Sequence, residues 1–209
     1  METDEALLDA WKRGDRRAGN ELFQRHFEGV RRFFVNKIDR ELEDLVQRTF
    51  LGCLEARERF AGRSSFRAFL FGVANNILRE HYRAKLRDAR NDAFEELSVV
   101  DMQAGPSTAL GRKREERLIL EALRRIPLDS QVILELYFWE RLTGAQLGDI
   151  LGIPENTARS RLRRAKELLT RALSRLTSSR ALLESTATNL DGWAASLRES
   201  LEPALESEA

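Results

Sequence analysis

The sequence predicts an all-α protein built from two small helical domains joined by an acidic flexible linker. Apolar residues recur every three or four positions through most of the chain, which is the spacing of helices with one buried face. No segment alternates apolar and polar residues convincingly, as a half-buried strand would. Residues 91–111 interrupt the helical pattern with acidic residues and Gly105-Pro106-Ser107, a composition typical of a linker.

The first domain is predicted over residues 1–91, with helices started by capping side chains. Gly14 ends the first helix and Asp15 caps the second, while Asp39 and Ser65 are placed to cap the third and fourth. The residues predicted to face its core are Leu7, Leu8, Trp11, Ala18, Leu22, Phe23, Phe27, Val30, Phe33, Phe34, Leu42, Leu45, Val46, Thr49, Phe50, Leu54, Phe66, Phe69, Leu70, Val73, Ala74, Ile77 and Leu78.

The second domain is predicted over residues 113–177, after a linker at 92–112, and it contains the densest local pattern. Asp129 is placed to cap one of its helices. Thr143 suits the N-cap of a short helix, and Gly152 suits its left-handed C-terminal position. Pro154 is tolerated where the next helix starts. Two short helices joined by a tight glycine-containing turn form a helix-turn-helix unit.

The distribution of charge points to a nucleic-acid partner, although the net charge is only +1. Basic residues concentrate in residues 79–90 and 155–175, whereas the linker and the tail after residue 177 are acidic. Such segregation is the electrostatic pattern of a nucleic-acid binder.

The composition excludes several other classes of protein. One cysteine and two separated histidines give no metal site, and no phosphate-binding loop or nucleophile motif is present. We therefore predict no catalytic residue, no metal and no cofactor, and hence no enzyme. No apolar run approaches the ~20 residues of a membrane span, and the acidic N-terminus is unlike a signal peptide. These features predict a cytoplasmic protein without membrane insertion.

Two surfaces have the residue types that contact DNA. Arg159, Ser160, Arg163 and Arg164 fall on or near the outer face of the second helix of the helix-turn-helix, which enters the major groove in this motif. The first basic helix follows a Gly-Ser loop bracketed by aromatic residues and carries Asn75-Asn76. Aromatic and amide groups beside basic residues suit unpaired bases, although aromatic residues at helical spacing also fill cores.

Four ordered motifs resemble the extracytoplasmic-function type of sigma factor, over a span from about Leu7 to Leu176. They begin at residues 14–23, which are similar to the family's opening helices. Residues 44–50 resemble its polymerase-binding signature. Residues 60–66, followed by 73–76, resemble its promoter-melting segment, and residues 151–162 resemble its second-domain recognition motif.

The resemblance implies two partners, core RNA polymerase and promoter DNA, and a role in promoter-specific initiation of transcription. It implies that the linker follows the RNA path of the polymerase. The implied polymerase-binding residues are Asp44, Gln47 and Phe50. The implied −10 DNA-binding residues are Phe60, Gly62, Arg63, Ser64, Asn76, Arg79 and Arg83. The implied −35 DNA-binding residues are Thr157, Arg159, Ser160, Arg163 and Arg164.

Other functions use some of the same features. A DNA-binding activator would share the helix-turn-helix but would not need residues 44–50. A helical module that only binds proteins, such as a sigma mimic, would not need the two basic runs. An RNA-directed role lacks a recognisable RNA-binding module.

The C-terminal extension, residues 178–209, lies beyond the usual end of the family. Leu190, Trp193, Leu197 and Leu201 are spaced so that one helix face can carry all of them, within an acidic segment. One hypothesis is that this tail folds back on the basic helices as a built-in inhibitor, in place of a separate anti-sigma factor. The alternatives are a frayed terminus and a helix that extends the second domain's core.

Overall fold

The computed structural model describes residues 2–38, 40–57, 60, 64–86, 98–100, 114–177, 190, 192 and 195. Between residues 4 and 176 these ranges contain eight α-helices and no β-strand. The helices are α1 (Asp4–Lys12), α2 (Arg16–Val35), α3 (Leu42–Ala56), α4 (Phe66–Leu86), α5 (Arg114–Arg124), α6 (Leu128–Phe138), α7 (Gly144–Leu151) and α8 (Glu155–Leu176). The predicted all-α class is confirmed.

Helices α1 to α4 form the first domain, and two of its predicted caps are confirmed. The Asp15 carboxylate accepts hydrogen bonds from the backbone amides of the first turn of α2, at 2.8 and 3.3 Å. Ser65 Oγ accepts from the Ala68 amide at 3.2 Å and starts α4. Helix α3 begins directly after Glu41, which has a left-handed φ of 63° and whose side chain forms no capping hydrogen bond. Asp39, the predicted cap of α3, lies outside the described residues.

The core of the first domain is aromatic. The Trp11 ring meets Phe23 and Phe66 edge-on, with centroids 5.1 and 6.4 Å apart. Most residues predicted to face this core are buried or half-buried. The prediction is wrong for Phe27 and Leu54, which are 39% and 44% exposed. Both lie where α2 and α3 meet at the surface, and apolar spacing alone does not separate a core position from such a surface.

Helices α5 to α8 form the second domain, and one predicted cap in it is wrong. Helix α6 starts one residue before Asp129, because Pro127 occupies the N-cap position and its carbonyl accepts from the Ser130 and Gln131 amides. Asp129 therefore lies inside the first turn, where its carboxylate is directed to Arg79 of the first domain.

Two segments beyond the domains have described parts. In the linker, Val99 is buried and the Val100 amide donates to the Arg124 carbonyl at 3.1 Å, so this short piece packs on the second domain. In the tail, the helical Leu190 is half-buried and packs against the core. The Trp193, Leu197 and Leu201 positions of the predicted tail stripe lie outside the described residues. None of the described helices is long and apolar enough to cross a membrane.

Burial of Cys53 leads to a prediction about its reactivity. The side chain is wholly buried in α3, and burial raises the pKa of the thiol to about 12. Because the thiolate is the reactive species, we expect no alkylation by iodoacetamide in the folded protein at mildly alkaline pH. Mass spectrometry should find complete alkylation once guanidinium unfolds the chain. Rapid alkylation without denaturant would contradict the buried placement.

Candidate nucleic-acid interface

The first helix of the helix-turn-helix is fixed at both ends as the sequence predicts. Thr143 Oγ1 accepts from the Gln146 amide at 3.3 Å, and Gln146 Oε1 accepts from the Thr143 amide at 2.8 Å, which is a capping box. At the other end Gly152 has a φ of 65°, the left-handed conformation that glycine adopts without strain. Both predicted boundary residues are confirmed.

The turn between α7 and α8 is tight because Gly148 lacks a side chain. The Ile153 amide donates to the Gly148 carbonyl at 3.0 Å, which folds the chain back against α7. A Cβ atom at Gly148 would lie 2.8 Å from the Ile153 carbonyl oxygen, closer than real side chains approach. This contact sets how α8 leaves the turn.

Helix α8 buries one face and exposes the residues predicted to read DNA. Its inner face consists of small and branched apolar residues, including Ala158, Leu162 and Ala165. The predicted −35 residues are all exposed: Thr157, Arg159, Ser160, Arg163 and Arg164. The domain's packing is therefore independent of these five side chains.

The structure divides the predicted −35 residues between two grooves. Arg159 and Arg163 line a groove of about 690 Å³ between α8 and the end of α6, together with Arg141 and Lys166. Arg164 lines a separate groove of about 230 Å³ on the other side of α8, with Arg161 and Asp129 among its other residues. Thus only two of the predicted arginines share one side of α8.

The first groove contains two cations that the sequence reasoning missed. The Lys166 ammonium lies over the Tyr137 and Phe138 rings, 5.3 and 4.9 Å from their centroids. Its position seven residues after Arg159 and three after Arg163 was the available signal, since these spacings share a helix face. Arg141 lies just before the Thr143 cap and gave no periodic signal.

Arg159 and Arg163 differ in their present contacts. Arg159 forms hydrogen bonds with Glu155 at 2.6 and 3.0 Å, an exposed pair one helical turn apart. Arg163 has no ion-pair partner among the described residues. A base edge or phosphate therefore meets no intramolecular competitor of that kind at Arg163.

Helix α4 of the first domain carries three of the predicted −10 residues. Two of them are exposed, and the third forms an ion pair. Asn76 and Arg83 are exposed, whereas the neighbouring Asn75 is buried. Arg79 donates to both carboxylate oxygens of Asp129, at 2.8 and 2.7 Å.

The loop before α4 is only partly described. Phe60 is buried, with its ring 4.7 Å from Phe69 between centroids, and its carbonyl accepts from Lys12 Nζ at 2.9 Å. Ser64 is half-buried. The predicted −10 residues Gly62 and Arg63 lie outside the described residues.

A second surface lies between α2 and α3, in a part of the sequence that precedes the predicted DNA-binding motifs. Gln47 and Phe50 line a groove of about 490 Å³ whose other lining is mostly apolar. Its exposed apolar residues are Phe27, Leu51 and Leu54. Asp44 is exposed on α3 but does not line the groove. An exposed apolar groove of this kind indicates a binding partner.

The fold is that of a two-domain helical protein with a helix-turn-helix, and comparison with known proteins identifies its family. Residues 22–88 match Sigma-70 region 2, and residues 116–169 match Sigma-70, region 4. The chain belongs to the sigma-70 family and is an extracytoplasmic-function sigma factor, a protein that directs promoter-specific initiation by RNA polymerase.

Individual relatives agree with this assignment. The chain is similar to the ECF RNA polymerase sigma-E factor of Haemophilus influenzae, with 28% identity over 80% of this chain and 93% of that protein. It is also 28% identical to the RNA polymerase sigma-H factor of Pseudomonas aeruginosa, over 84% of this chain and 96% of that protein.

Solved structures share the fold at low sequence identity. CnrH in complex with the cytosolic domain of CnrY gives a TM-score of 0.59 at 23% identity, covering 83% of this chain and 99% of that one. The sigma factor RpoE in complex with the anti-sigma factor NepR, from Bartonella quintana, gives 0.60 at 20% identity, covering 74% and 96%.

Proposed function

We propose that this sigma factor reads the −35 element with α8, acts on the −10 element with α4 and binds core polymerase through the groove between α2 and α3. The observation that carries the proposal is the exposed polar and basic face of α8, in a helix-turn-helix whose first helix is capped at both ends. We propose that it acts in the cytoplasm, where polymerase and promoter DNA meet. It acts by binding and contributes no catalytic group.

At the −35 element, arginines on one side of α8 provide sequence readout and anchoring. Arg163 can donate two hydrogen bonds to the edge of a guanine, the commonest specific contact in the major groove. Lys166 and Arg141, beside it in the same groove, supply charge for phosphates, which fixes register without reading sequence.

At the −10 element, α4 offers an amide and basic groups to a strand that has opened. An unpaired base exposes its hydrogen-bonding edge, which the exposed Asn76 side chain can contact. Arg83, on the same helix, can contact the phosphate backbone of the strand. Capture of the base recovers the few kcal/mol that unstacking costs, and so favours the melted state.

The decisive experiment is transcription from a genomic fragment library by core polymerase, with and without the purified chain. Sequencing the 5′ ends of the transcripts should reveal new start sites preceded by two shared sequence elements at a fixed spacing. A DNA-binding activator would instead raise transcription from promoters that already work with another sigma factor, and it would give no starts with core polymerase alone.

The apolar groove between α2 and α3 leads to a prediction about polymerase binding. Replacing Leu51 and Leu54 together by serine should weaken core binding by roughly 10- to 100-fold. Each half-exposed leucine would lose about 1 kcal/mol of apolar burial at the interface. The sequence-based prediction that Asp44→Ala with Gln47→Ala weakens core binding is tested in the same titration, by fluorescence anisotropy.

Glu55→Ser is the matched control, because Glu55 is exposed on α3 and does not line the groove. Thermal unfolding should be unchanged in all three variants, since the replaced side chains are exposed. Normal core binding by the leucine variant would show that polymerase uses another surface.

A further inference from the structure

Four cations are exposed together at the turn between α1 and α2. Lys12 and Arg13 lie at the end of α1, and Arg16 and Arg17 begin α2, so all four fall within six consecutive residues. We call these four residues the basic turn patch. Its three arginines form no ion pair with any residue that the structure describes. The nearest acid in sequence, Asp15, is engaged in capping α2, because its carboxylate accepts from two backbone amides at 2.8 and 3.3 Å.

Arg16 and Arg17 occupy the end of α2 where cations are unfavourable. The N-terminus of a helix carries a partial positive charge and therefore favours acidic side chains. Helices α1 and α3 follow this rule, with two acids each in their first turns, whereas the first turn of α2 has no acid. Two arginines in this position do not stabilise α2, which indicates that they bind an anion outside the helix.

The turn that carries the patch is held firmly against α2. The Asp15 amide donates to the Ala10 carbonyl at 3.1 Å, and Gly14 adopts a φ of 100° that favours glycine. Trp11 is buried, and a Cβ atom at Gly19 would lie 2.5 Å from its ring, so α1 and α2 are in close contact here. The patch thus belongs to the packed frame of the first domain.

The patch borders the segment to which the proposed function assigns −10 DNA. Lys12 Nζ donates to the Phe60 carbonyl at 2.9 Å and lies over the Phe60 ring, 5.0 Å from its centroid. Another cation, Arg57 at the end of α3, lies over the Trp11 ring at 5.5 Å. Positive charge therefore continues from the α1–α2 turn to the residue that begins this segment.

We propose that the basic turn patch binds phosphates of the single-stranded DNA that adjoins the −10 element. This inference rests on the proposed function in taking residues 60–66 and Asn76 as the region that holds the opened strand. Phosphate contacts add affinity and fix the position of the strand without reading its sequence. The first domain then holds the strand at two places, an unpaired base at α4 and the backbone at the patch.

The test replaces the three arginines of the patch by glutamine in the full chain and measures binding to a random 20-nucleotide single-stranded DNA by fluorescence anisotropy. Affinity should fall by roughly 10-fold or more in about 0.1 M salt. The slope of log affinity against log salt should decrease by about 2, since each phosphate contact on a single strand contributes about 0.7. Replacement of the same arginines by lysine should largely preserve binding, because lysine binds phosphate as a point charge.

The matched control is Arg117→Gln with Arg171→Gln and Arg175→Gln, which removes the same charge from exposed sites on the second domain. Its salt slope should change much less. Thermal unfolding of the patch variant should occur at the same or a higher temperature, because cations are removed from the start of α2. The proposal is overturned if the two variants have equal slopes. It is also overturned if the patch variant keeps its DNA affinity but loses core-polymerase binding, which would assign the patch to an acidic surface of the polymerase.

A second measurement locates the contact on promoter DNA. In the complex with core polymerase, phosphates next to the −10 element are replaced one at a time by uncharged methylphosphonates, on a promoter chosen from the mapped start sites. At least one replacement should weaken binding by the unsubstituted chain and have no further effect on the patch variant. Fully additive losses at every position would show that the patch and these phosphates do not meet. Failure of the transcription experiment above would refute the proposed function, whereas equal salt slopes refute only the patch.

Discussion

Replacing Arg163 by alanine is expected to weaken binding to a −35 duplex by roughly 5- to 150-fold and to relax preference at one base pair. The estimate converts the loss of a two-pronged arginine contact to guanine, about 1–3 kcal/mol, into a ratio of affinities. The effect should be large because Arg163 is exposed on α8 and has no ion-pair partner among the residues that the structure describes. The measurement is a binding titration against a promoter chosen from the mapped start sites and its single-base variants.

A charge-matched control separates readout from general attraction. Arg171→Ala removes the same charge from an exposed site two turns further along α8. It should weaken all sequences alike and only slightly, and it should reduce the dependence of affinity on salt. If the two variants have the same affinity for every base variant, α8 does not read sequence at Arg163.

The second large effect is expected at the −10 element. Asn76→Ala should reduce transcription from fully duplex promoters by roughly 10-fold or more, and much less from templates already unpaired at −10. On a duplex template, contacts with the unpaired base must offset the few kcal/mol that unstacking costs. On a pre-opened template the base is already unstacked, so this cost is absent. Asn76 is exposed, so the substitution should leave the fold intact.

Run-off transcription on the paired and bubble templates gives the comparison. Glu80→Gln is the control on the same helix, because Glu80 is exposed and its contact with Arg48 is a long surface pair at 3.4 Å. Equal losses on both templates for Asn76→Ala would assign Asn76 to another step than capture of an unpaired base.

Local sequence rules predicted the local structure well. The predicted helix boundaries at Asp15, Ser65, Thr143 and Gly152 are correct, because each depends only on nearby residues. The first three cap a helix through a hydrogen bond to a backbone amide two or three residues on, and Gly152 adopts a left-handed backbone conformation. Asp129 shows the limit of such rules, since Pro127 also starts a helix and starts it earlier. Asp generally favours the N-cap position, but Pro127 occupies that position here and sets the start of α6.

Contacts between distant parts of the chain were not predictable in this way. Lys37 and Glu135 are 98 residues apart, and Arg32 and Glu140 are 108 apart. No periodicity links such residues, and charged side chains are expected at the surface. Likewise, the spacing of Phe27 and Leu54 showed that they share the apolar faces of their helices, but not that those faces extend beyond the core into an open groove.

The placement of the α8 side chains has a consequence for how this factor can change. The position of α8 depends on the Thr143 capping box and on the tight approach at Gly148, whereas the side chains that we propose contact the −35 element are exposed. Exposed substitutions generally alter folding stability by less than about 0.5 kcal/mol. Promoter preference can therefore drift in evolution, or be reprogrammed in the laboratory, almost without cost to the scaffold, and libraries confined to these positions should yield folded factors with new target sites.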